Sequence, residues 1–212
     1  MDLGWLEARL NRRIDAAEVH LANLLGRTTI PCDATQELYE LEGWLSDVWQ
    51  FWCRFCRRVV MESCVGCRTT SGVMHAQNHP SPAVVSFIAA KQKKGIPPTV
   101  AGSNTVLRIE PTWGHIDKLL EVIQALNPPN RTGLLGAFGT IPLIEHIRLV
   151  RNATAHRNAQ TLADVFAFQS QYKGPGIRHP LQALFWQDTF SNQILIQARL
   201  DDMRIGAKNA CA

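Results

Sequence analysis

The sequence lacks any apolar run long enough to cross a bilayer. A transmembrane helix needs about 20 predominantly apolar residues in a row, and charged side chains interrupt every long stretch of this chain. Residues 1–26 also lack the apolar centre of an export signal, because charged residues recur among the leucines at helical spacing. We therefore expect a soluble, cytosolic protein without a membrane partner, whose cysteines stay reduced.

A strong excess of one charge is absent as well. The chain has 22 Lys and Arg against 18 Asp and Glu, and a net charge of +4 does not by itself indicate a nucleic-acid partner. The distribution is uneven, however. Residues 1–70 hold 8 basic against 10 acidic side chains, whereas residues 71–212 hold 14 against 8. The basic excess therefore lies in the part of the chain that carries the motif described below.

The spacing of apolar residues predicts an all-α fold with few or no strands. The predicted helices are residues 3–25, a long helix within 34–66, a short helix at about 84–90, a helix between 111 and 127, residues 141–156, and two segments at about 161–172 and 180–204. Segment 69–111 is predicted to be loop-rich, and residues 131–140 to form a glycine-rich turn. Residues 192–200 alternate well enough that a strand stays open. We expect one domain over residues 1–212, with a C-terminal extension at about 178–212.

The six cysteines include two pairs with metal-ligand spacing. They are Cys32, Cys53, Cys56, Cys64, Cys67 and Cys211, and residues 53–67 read C-x2-C-x7-C-x2-C, which is typical of zinc ligands. If residues 53–64 are helical, however, the two pairs lie about 16 Å apart, too far for one zinc ion. We expect buried thiols that act as small apolar side chains. A zinc site formed by a break in the helix near Ser63, or redox chemistry, stays open.

The segment LVRNATAHRN, residues 149–158, interrupts an apolar helix with polar residues. On a helix, Leu143, Ile147, Val150 and Thr154 share one stripe, which we expect to be buried. Asn152 and His156 are four residues apart on the opposite stripe, where they are direct neighbours. Arg151 lies about 140° around the helix from His156. One helix therefore cannot easily direct both side chains to one group, whereas two copies related by a two-fold axis can.

Arginine, asparagine and histidine in one window suit phosphodiester chemistry. Histidine titrates near neutrality and can exchange a proton with a ribose hydroxyl or a leaving oxygen. Arginine presents a planar set of donors to phosphate oxygens. No carboxylate cluster for a hard metal accompanies them, so we expect no metal and no cofactor. The competing interpretation is an ordinary solvated helix end, where basic side chains are favoured by the helix dipole.

The hexapeptide Arg151-Asn152-Ala153-Thr154-Ala155-His156 resembles the R-N-x3-H form of the R-x4-6-H motif of the HEPN superfamily, and most of all its RiboL-PSP-type branch. The resemblance implies a HEPN-like all-α helical bundle, a homodimer formed through the motif helices, and metal-independent endoribonuclease activity. It also implies roles in toxin–antitoxin, phage-defence or RNA-processing systems, with an antitoxin or defence-system partner protein.

Carried over by position, the resemblance makes Arg151 and His156 the catalytic pair and Asn152 the polar residue that follows the arginine. Arg148 and Arg157 flank the motif and are candidate RNA contacts. The expected function is cleavage of RNA to 2',3'-cyclic phosphate and 5'-hydroxyl ends, as a toxin or defence effector. Two alternatives remain: a non-catalytic module that binds a nucleotide or a protein in the same cleft, and a zinc-stabilised regulatory protein.

Overall fold

The computed structural model describes residues 1–27, 34–92 and 110–212, and it confirms an all-α fold. The α-helices of these ranges are α1 (Leu3–Leu25), α2 (Thr35–Val65), α3 (Pro82–Lys91), α4 (Ile116–Leu126), α5 (Arg131–Gly139), α6 (Glu145–His156), α7 (Ala159–Ala167) and α8 (Leu195–Cys211). Short 3-10 helices cover Pro142–Ile144, Gln169–Gln171 and Pro180–Phe185. Two antiparallel strand pairs, β1 (Cys67–Arg68) with β2 (Met74–His75) and β3 (Tyr172–Lys173) with β4 (Gln187–Asp188), complete these elements.

The two long helices follow the apolar pattern of the sequence closely. Helix α1 has the predicted bounds, and every residue of its predicted apolar face is buried: Leu3, Leu6, Leu10, Ile14, Ala17, Leu21 and Leu24. Helix α2 ends at Val65, within one residue of the predicted end.

No single helix of the described ranges is long and apolar enough to cross a membrane; Arg131–Gly139 and Pro142–His156 pass that test only as a pair.

The prediction of a turn at residues 131–140 was wrong, and the predicted helical segment at about 180–204 is helical only in part. The glycine-rich segment predicted to be a turn is helix α5, because Leu134, Ala137 and Phe138 become buried along one side of it. The free energy gained by this burial outweighs the cost of each glycine in a helix, which is about 1 kcal/mol relative to alanine. The segment predicted at about 180–204 is divided into the 3-10 helix Pro180–Phe185, strand β4 and helix α8. The strand that stayed open at residues 192–200 gives way to α8 from Leu195, where the buried face of that helix begins. The part of the loop-rich segment at residues 93–109 lies outside the described residues, as does Cys32.

The chain divides into two compact units. Unit 1 comprises Met1–Leu10, Trp52–Pro142 and Arg204–Ala212, and unit 2 comprises Asn11–Phe51 and Leu143–Met203, so that α1, α2 and α8 contribute residues to both. The prediction of a single domain with a C-terminal extension stays a prediction.

Unit 1 is built around aromatic side chains and one buried carboxylate. Trp52 stacks on Phe55 with ring centroids 5.7 Å apart and meets Phe138 edge-on at 6.1 Å. The carboxylate of Glu110 accepts two hydrogen bonds from Arg57, at 2.7 and 2.9 Å, and others from Ser86 and Trp113. These bonds lower the pKa of Glu110 although burial opposes the ionised form. Its lone pairs are thus used within unit 1, which indicates a structural role.

Unit 2 contains the motif helix α6. Helix α6 packs against α7 and against the 3-10 helix Pro180–Phe185, and it buries His146, Ile147, Val150, Ala153 and Thr154. The predicted start at residue 141 is replaced by the 3-10 turn Pro142–Ile144, so that α6 begins at Glu145. The end at His156 is as predicted.

Candidate functional site

The end of α6 fixes the backbone under the motif. Arg157 adopts the left-handed conformation, with φ 41° and ψ 49°, and its backbone N–H donates to the carbonyl of Ala153. Such a residue is a common way to end a helix. The predicted buried stripe is confirmed for Ile147, Val150 and Thr154, whereas Leu143 precedes α6 and is only half-buried. The packing of α6 therefore leaves the motif's polar residues on its outer side.

Arg151 and Asn152 are adjacent and half-buried. The Arg151 guanidinium lies 3.5 Å from the Asn152 side-chain oxygen, at the outer limit of a hydrogen bond. Within the described ranges no carboxylate forms an ion pair with Arg151. Its positive charge is thus not neutralised by an acidic side chain of the described residues.

His156 is the last residue of α6, and its side chain is exposed. It makes no hydrogen bond, ion pair or ring contact with any residue that the structure describes. The flanking Ala155 and Arg157 are exposed too. The imidazole is thus accessible from solvent.

The two flanking arginines differ in their surroundings. Arg148 donates from Nε to the carboxylate of Glu145 in a short contact, and both side chains are largely covered. This pairing offsets the charge of Arg148. Arg157 is 59% exposed and lies 3.8 Å from the Glu42 carboxylate, a solvent-exposed pair that contributes little to stability. Arg157 is thus the flanking arginine with the more available charge.

A single chain does not bring Arg151 and His156 into contact. The two side chains start about 140° apart around the helix, and the hydrogen bond of Arg151 goes to Asn152 instead. The dimer that would pair them across two chains stays a prediction.

His146, on the buried side of α6, was missed by the sequence analysis. It is 7% exposed, its Nδ1 lies 2.7 Å from the Tyr172 hydroxyl, and its ring stacks on Phe168 at 4.1 Å. Burial, with a smaller contribution from Arg199, lowers the pKa of His146 to about 4. His146 precedes Val150 by four residues, and this spacing was the available signal for its burial. His146 is thus a neutral structural side chain.

A buried arginine extends this polar cluster. Arg199 of α8 lies 3.3 Å from the carboxylate of Asp188 and 3.1 Å from that of Asp202. Burial opposes the ionisation of Asp188, but backbone hydrogen bonds from Ser191 and Phe190, together with Arg199, lower its pKa overall. No sequence pattern indicates this pairing, because the apolar residues of α8 around Arg199 are typical of an ordinary core helix.

His179 is a second histidine near the end of the motif. Its Nδ1 accepts the backbone N–H of Leu181 and so caps the 3-10 helix that packs on α6. Burial lowers the pKa of His179, Arg157 lowers it further, and Glu42 opposes them. A neutral imidazole therefore lies within electrostatic reach of Arg157. Its capping role could not be read from the sequence, where it sits in a proline-containing loop.

Four of the five cysteines in the described ranges are buried core residues, Cys56, Cys64, Cys67 and Cys211, whereas Cys53 is half-buried. Helix α2 continues without a break past Ser63, so the zinc site that required a break there does not form. Burial raises the pKa of Cys64 and of Cys211 to about 12, and it raises the pKa of Cys56 well above its usual value. Neutral buried thiols are poor nucleophiles. In residues 1–27, 34–92 and 110–212, no group of three or more His, Cys, Asp or Glu side chains is arranged to hold a metal ion.

The chain matches no family model, no curated protein and no solved structure. The resemblance to the HEPN superfamily therefore rests on residues 151–156 alone.

Proposed function

We propose that this protein is a metal-independent endoribonuclease of the HEPN type that acts as a homodimer. The observation that carries the proposal is the last turn of α6. There His156 is exposed and free of contacts with the described residues, and Arg151, one turn earlier, has no carboxylate partner among them. Arg148, one turn before Arg151, is by contrast paired with Glu145.

The chemistry uses the RNA's own 2'-hydroxyl as the nucleophile. His156 takes the proton of that hydroxyl while its oxygen forms a bond to the neighbouring phosphorus. Arg151 donates hydrogen bonds to the non-bridging oxygens, where negative charge accumulates in the phosphorane. The bond from phosphorus to the 5'-oxygen then breaks, and an imidazolium returns a proton to that oxygen. The products are a 2',3'-cyclic phosphate and a 5'-hydroxyl.

The requirement for a dimer follows from the geometry of α6. Arg151 of one chain and His156 of its partner can face the same phosphate across a two-fold axis, whereas one helix directs them apart. Asn152 would hold the phosphate or orient the guanidinium that it already contacts. Arg157, exposed beside His156, would contact the next phosphate of the strand.

Metal independence follows from the donor set of the motif. Residues 151–156 contain no carboxylate, and the nearest acidic residue on the helix, Glu145, is engaged by Arg148. Hard divalent cations need several oxygen ligands. Arginine and histidine therefore supply the charge and the proton transfer.

The biological setting in the proposal comes from the resemblance alone. A cytosolic toxin or phage-defence effector has to be restrained until needed, which implies an antitoxin or a defence-system partner protein. The charges of Arg151 and Arg157 at the motif favour an anionic substrate such as RNA.

The test is an assay of purified protein on mixed single-stranded RNA in excess EDTA. We expect cleavage by the wild type and none by Arg151→Ala or His156→Ala. His20→Ala is the matched control, because His20 is another well exposed histidine of unit 2 that lies outside the motif. Equal cleavage by wild type and His156→Ala would reject the proposal.

A second candidate is a non-catalytic module that binds a nucleotide or a protein at the same helix end. It is favoured by the separation of Arg151 and His156 within one chain. Binding of RNA without any cleavage, by a preparation shown to be dimeric, would choose this candidate.

A further inference from the structure

Helix α7, which follows the motif helix in unit 2, leaves most of its apolar residues in solvent. Six of its nine residues are apolar, and among these nine, all of them described, Val165 alone is buried. A helix on the surface of a globular protein normally turns its apolar residues toward the core. Here the exposed apolar residues outnumber the buried one: Ala159, Ala163, Phe166 and Ala167.

Four apolar residues form one continuous stripe along the helix, called here the α7 stripe: Ala159, Leu162, Ala163 and Phe166. Their spacing of i, i+3, i+4 and i+7 places them within about 100° of one another around the helix. Phe166 is 42% exposed, and Leu162 is half-buried. The polar residues Gln160 and Asp164 lie beside the stripe, with the Gln160 amide 3.4 Å from the Asp164 carboxylate. The α7 stripe itself is therefore uncharged.

The α7 stripe begins next to the motif. Arg157 and Asn158 alone separate His156, the last residue of α6, from Ala159, and residues 155–160 are all exposed. The Asn158 side chain accepts the backbone N–H of Thr161 at 2.9 Å and so caps α7. Helices α6 and α7 also pack against each other. The position of the stripe relative to the motif is thus fixed by the fold of unit 2.

The composition of the α7 stripe decides which kind of partner fits it. A nucleic-acid strand is held mainly by cationic side chains at its phosphates, and the stripe supplies none. Contiguous exposed apolar residues are typical of protein contacts. A two-fold axis places the same patch of two copies face to face, and an uncharged apolar stripe is complementary to itself. Ala159 and Ala163 are small, which allows two such helices to approach closely.

A second copy is also required to complete the proposed site. Arg151 and His156 start about 140° apart around α6, so one chain does not direct both side chains to one phosphate. Ala155 lies between them on the outer side of α6, about 40° from Arg151 and about 100° from His156, and it is exposed. A small side chain at this position leaves room for the partner's helix between the arginine and the histidine.

We propose that the α7 stripe is the apolar centre of a two-fold interface that brings Arg151 of one chain opposite His156 of the other. This inference rests on the proposed function and deepens it by naming the surface through which the two copies meet. A nine-residue helix supplies only part of the roughly 800 Å² that each partner buries in a stable interface. The exposed end of α6, residues 155–158, extends the surface. Dissociation therefore separates the arginine from the histidine and stops cleavage.

The experiment measures the dimer dissociation constant by sedimentation equilibrium without RNA. Ala163→Glu puts a carboxylate in the middle of the stripe, and burying it without a cation should weaken dimerisation at least about 100-fold. Phe166→Ala removes the largest side chain of the stripe and should weaken dimerisation at least about tenfold. Val19→Glu is the matched control, because Val19 is a 63% exposed apolar residue on another helix of unit 2. Its replacement should leave the dissociation constant unchanged.

The circular dichroism and melting of all three variants should show a folded chain, because each replaced side chain is exposed. A monomeric wild type would overturn the inference and would leave the stripe to a different protein. Dimerisation of Ala163→Glu and Phe166→Ala equal to that of the wild type, or equal weakening by Val19→Glu, would overturn it too. Unfolding of Ala163→Glu and Phe166→Ala would show that the stripe packs within one chain, which is equally contrary.

Failure of the proposed function is a separate result. A dimer that responds to the variants as expected but cleaves no RNA would keep the interface and reject the ribonuclease. Cleavage by a monomeric wild type would keep the ribonuclease and reject the interface. If both hold, Ala163→Glu should lose cleavage at concentrations where it is monomeric, although Arg151 and His156 are intact.

Discussion

The imidazole of His146 lies 2.7 Å from the hydroxyl of Tyr172, and this contact ties the motif helix to the β3–β4 pair. The Phe168 ring, stacked on the imidazole at 4.1 Å, fills one face of it. The rotation of α6 about its own axis is therefore fixed by a buried polar group as well as by aliphatic packing. Because Arg151 and His156 lie on the same helix, the directions in which their side chains point depend on this contact.

The stability of the protein should fall as the pH drops through the window set by His146. Its pKa is about 4 in the folded protein, against 6.5 when unfolded. Between these two pKa values the unfolded chain binds more protons than the folded chain, which favours unfolding. The free energy of unfolding is therefore highest above about pH 6.5 and falls by at most about 3 kcal/mol as the pH drops to about 4. Urea denaturation at several pH values measures it. His146→Phe should flatten the dependence; an equally steep dependence in that variant would assign it to other groups.

Arg199→Ala should be strongly destabilising. The substitution leaves the buried carboxylate of Asp188 and the half-buried carboxylate of Asp202 without their cation, and breaking a buried ion pair such as Arg199–Asp188 costs about 3–5 kcal/mol. The free energy of unfolding in urea at neutral pH gives the value. Arg178→Ala, at an exposed position of the same unit, should stay within about 0.5 kcal/mol of the wild type. Similar losses in both variants would contradict the role of the Arg199 ion pairs.

His156→Ala should separate activity from stability. The side chain is exposed and makes no contact with the described residues, so its loss should change the free energy of unfolding by less than about 1 kcal/mol. RNA cleavage should nevertheless disappear. Arg151→Ala should behave likewise. Thermal melts and cleavage assays on the same preparations check this, and unfolding of either variant would favour a structural role for the motif.

Mixing two inactive variants should restore cleavage. In a heterodimer of Arg151→Ala with His156→Ala, one of the two shared sites combines an intact arginine from one chain with an intact histidine from the other. Random reassociation of equal amounts should therefore give about a quarter of wild-type activity. Sedimentation should show a dimer at the concentrations of the assay. If the mixture stays inactive although heterodimers form, then each site lies within one chain.

The sequence alone was sufficient for those parts of the fold that local periodicity determines. Helix α1 repeats leucine, isoleucine or alanine every three or four residues, and its bounds were predicted correctly. Helix α5 was missed because its glycines indicate a turn locally, whereas the burial of Phe138 that stabilises the helix depends on distant residues. Tertiary packing overrode propensity there.

The candidate site was predictable only in part for a similar reason. The helical pattern placed Asn152 and His156 on the outer side of α6, and His156 is indeed exposed. The partners of His146 and Arg199 lie on elements far along the chain. Pairings of this kind depend on tertiary structure, so no residue pattern within one helix predicts them. The role of Glu145, which covers Arg148, depends on rotamers that the sequence does not specify.

The most direct test of the central claim is the chemistry of the cleaved ends. Purified wild-type protein is incubated in excess EDTA with a defined RNA and with the same RNA carrying a single 2'-deoxy substitution at the cleaved step. We predict cleavage of the first to a 2',3'-cyclic phosphate and a 5'-hydroxyl, and no cleavage of the second at that step, because the attacking oxygen is missing. A requirement for magnesium or manganese, or 5'-phosphate ends, would show that water is the nucleophile and would contradict the roles assigned to Arg151 and His156.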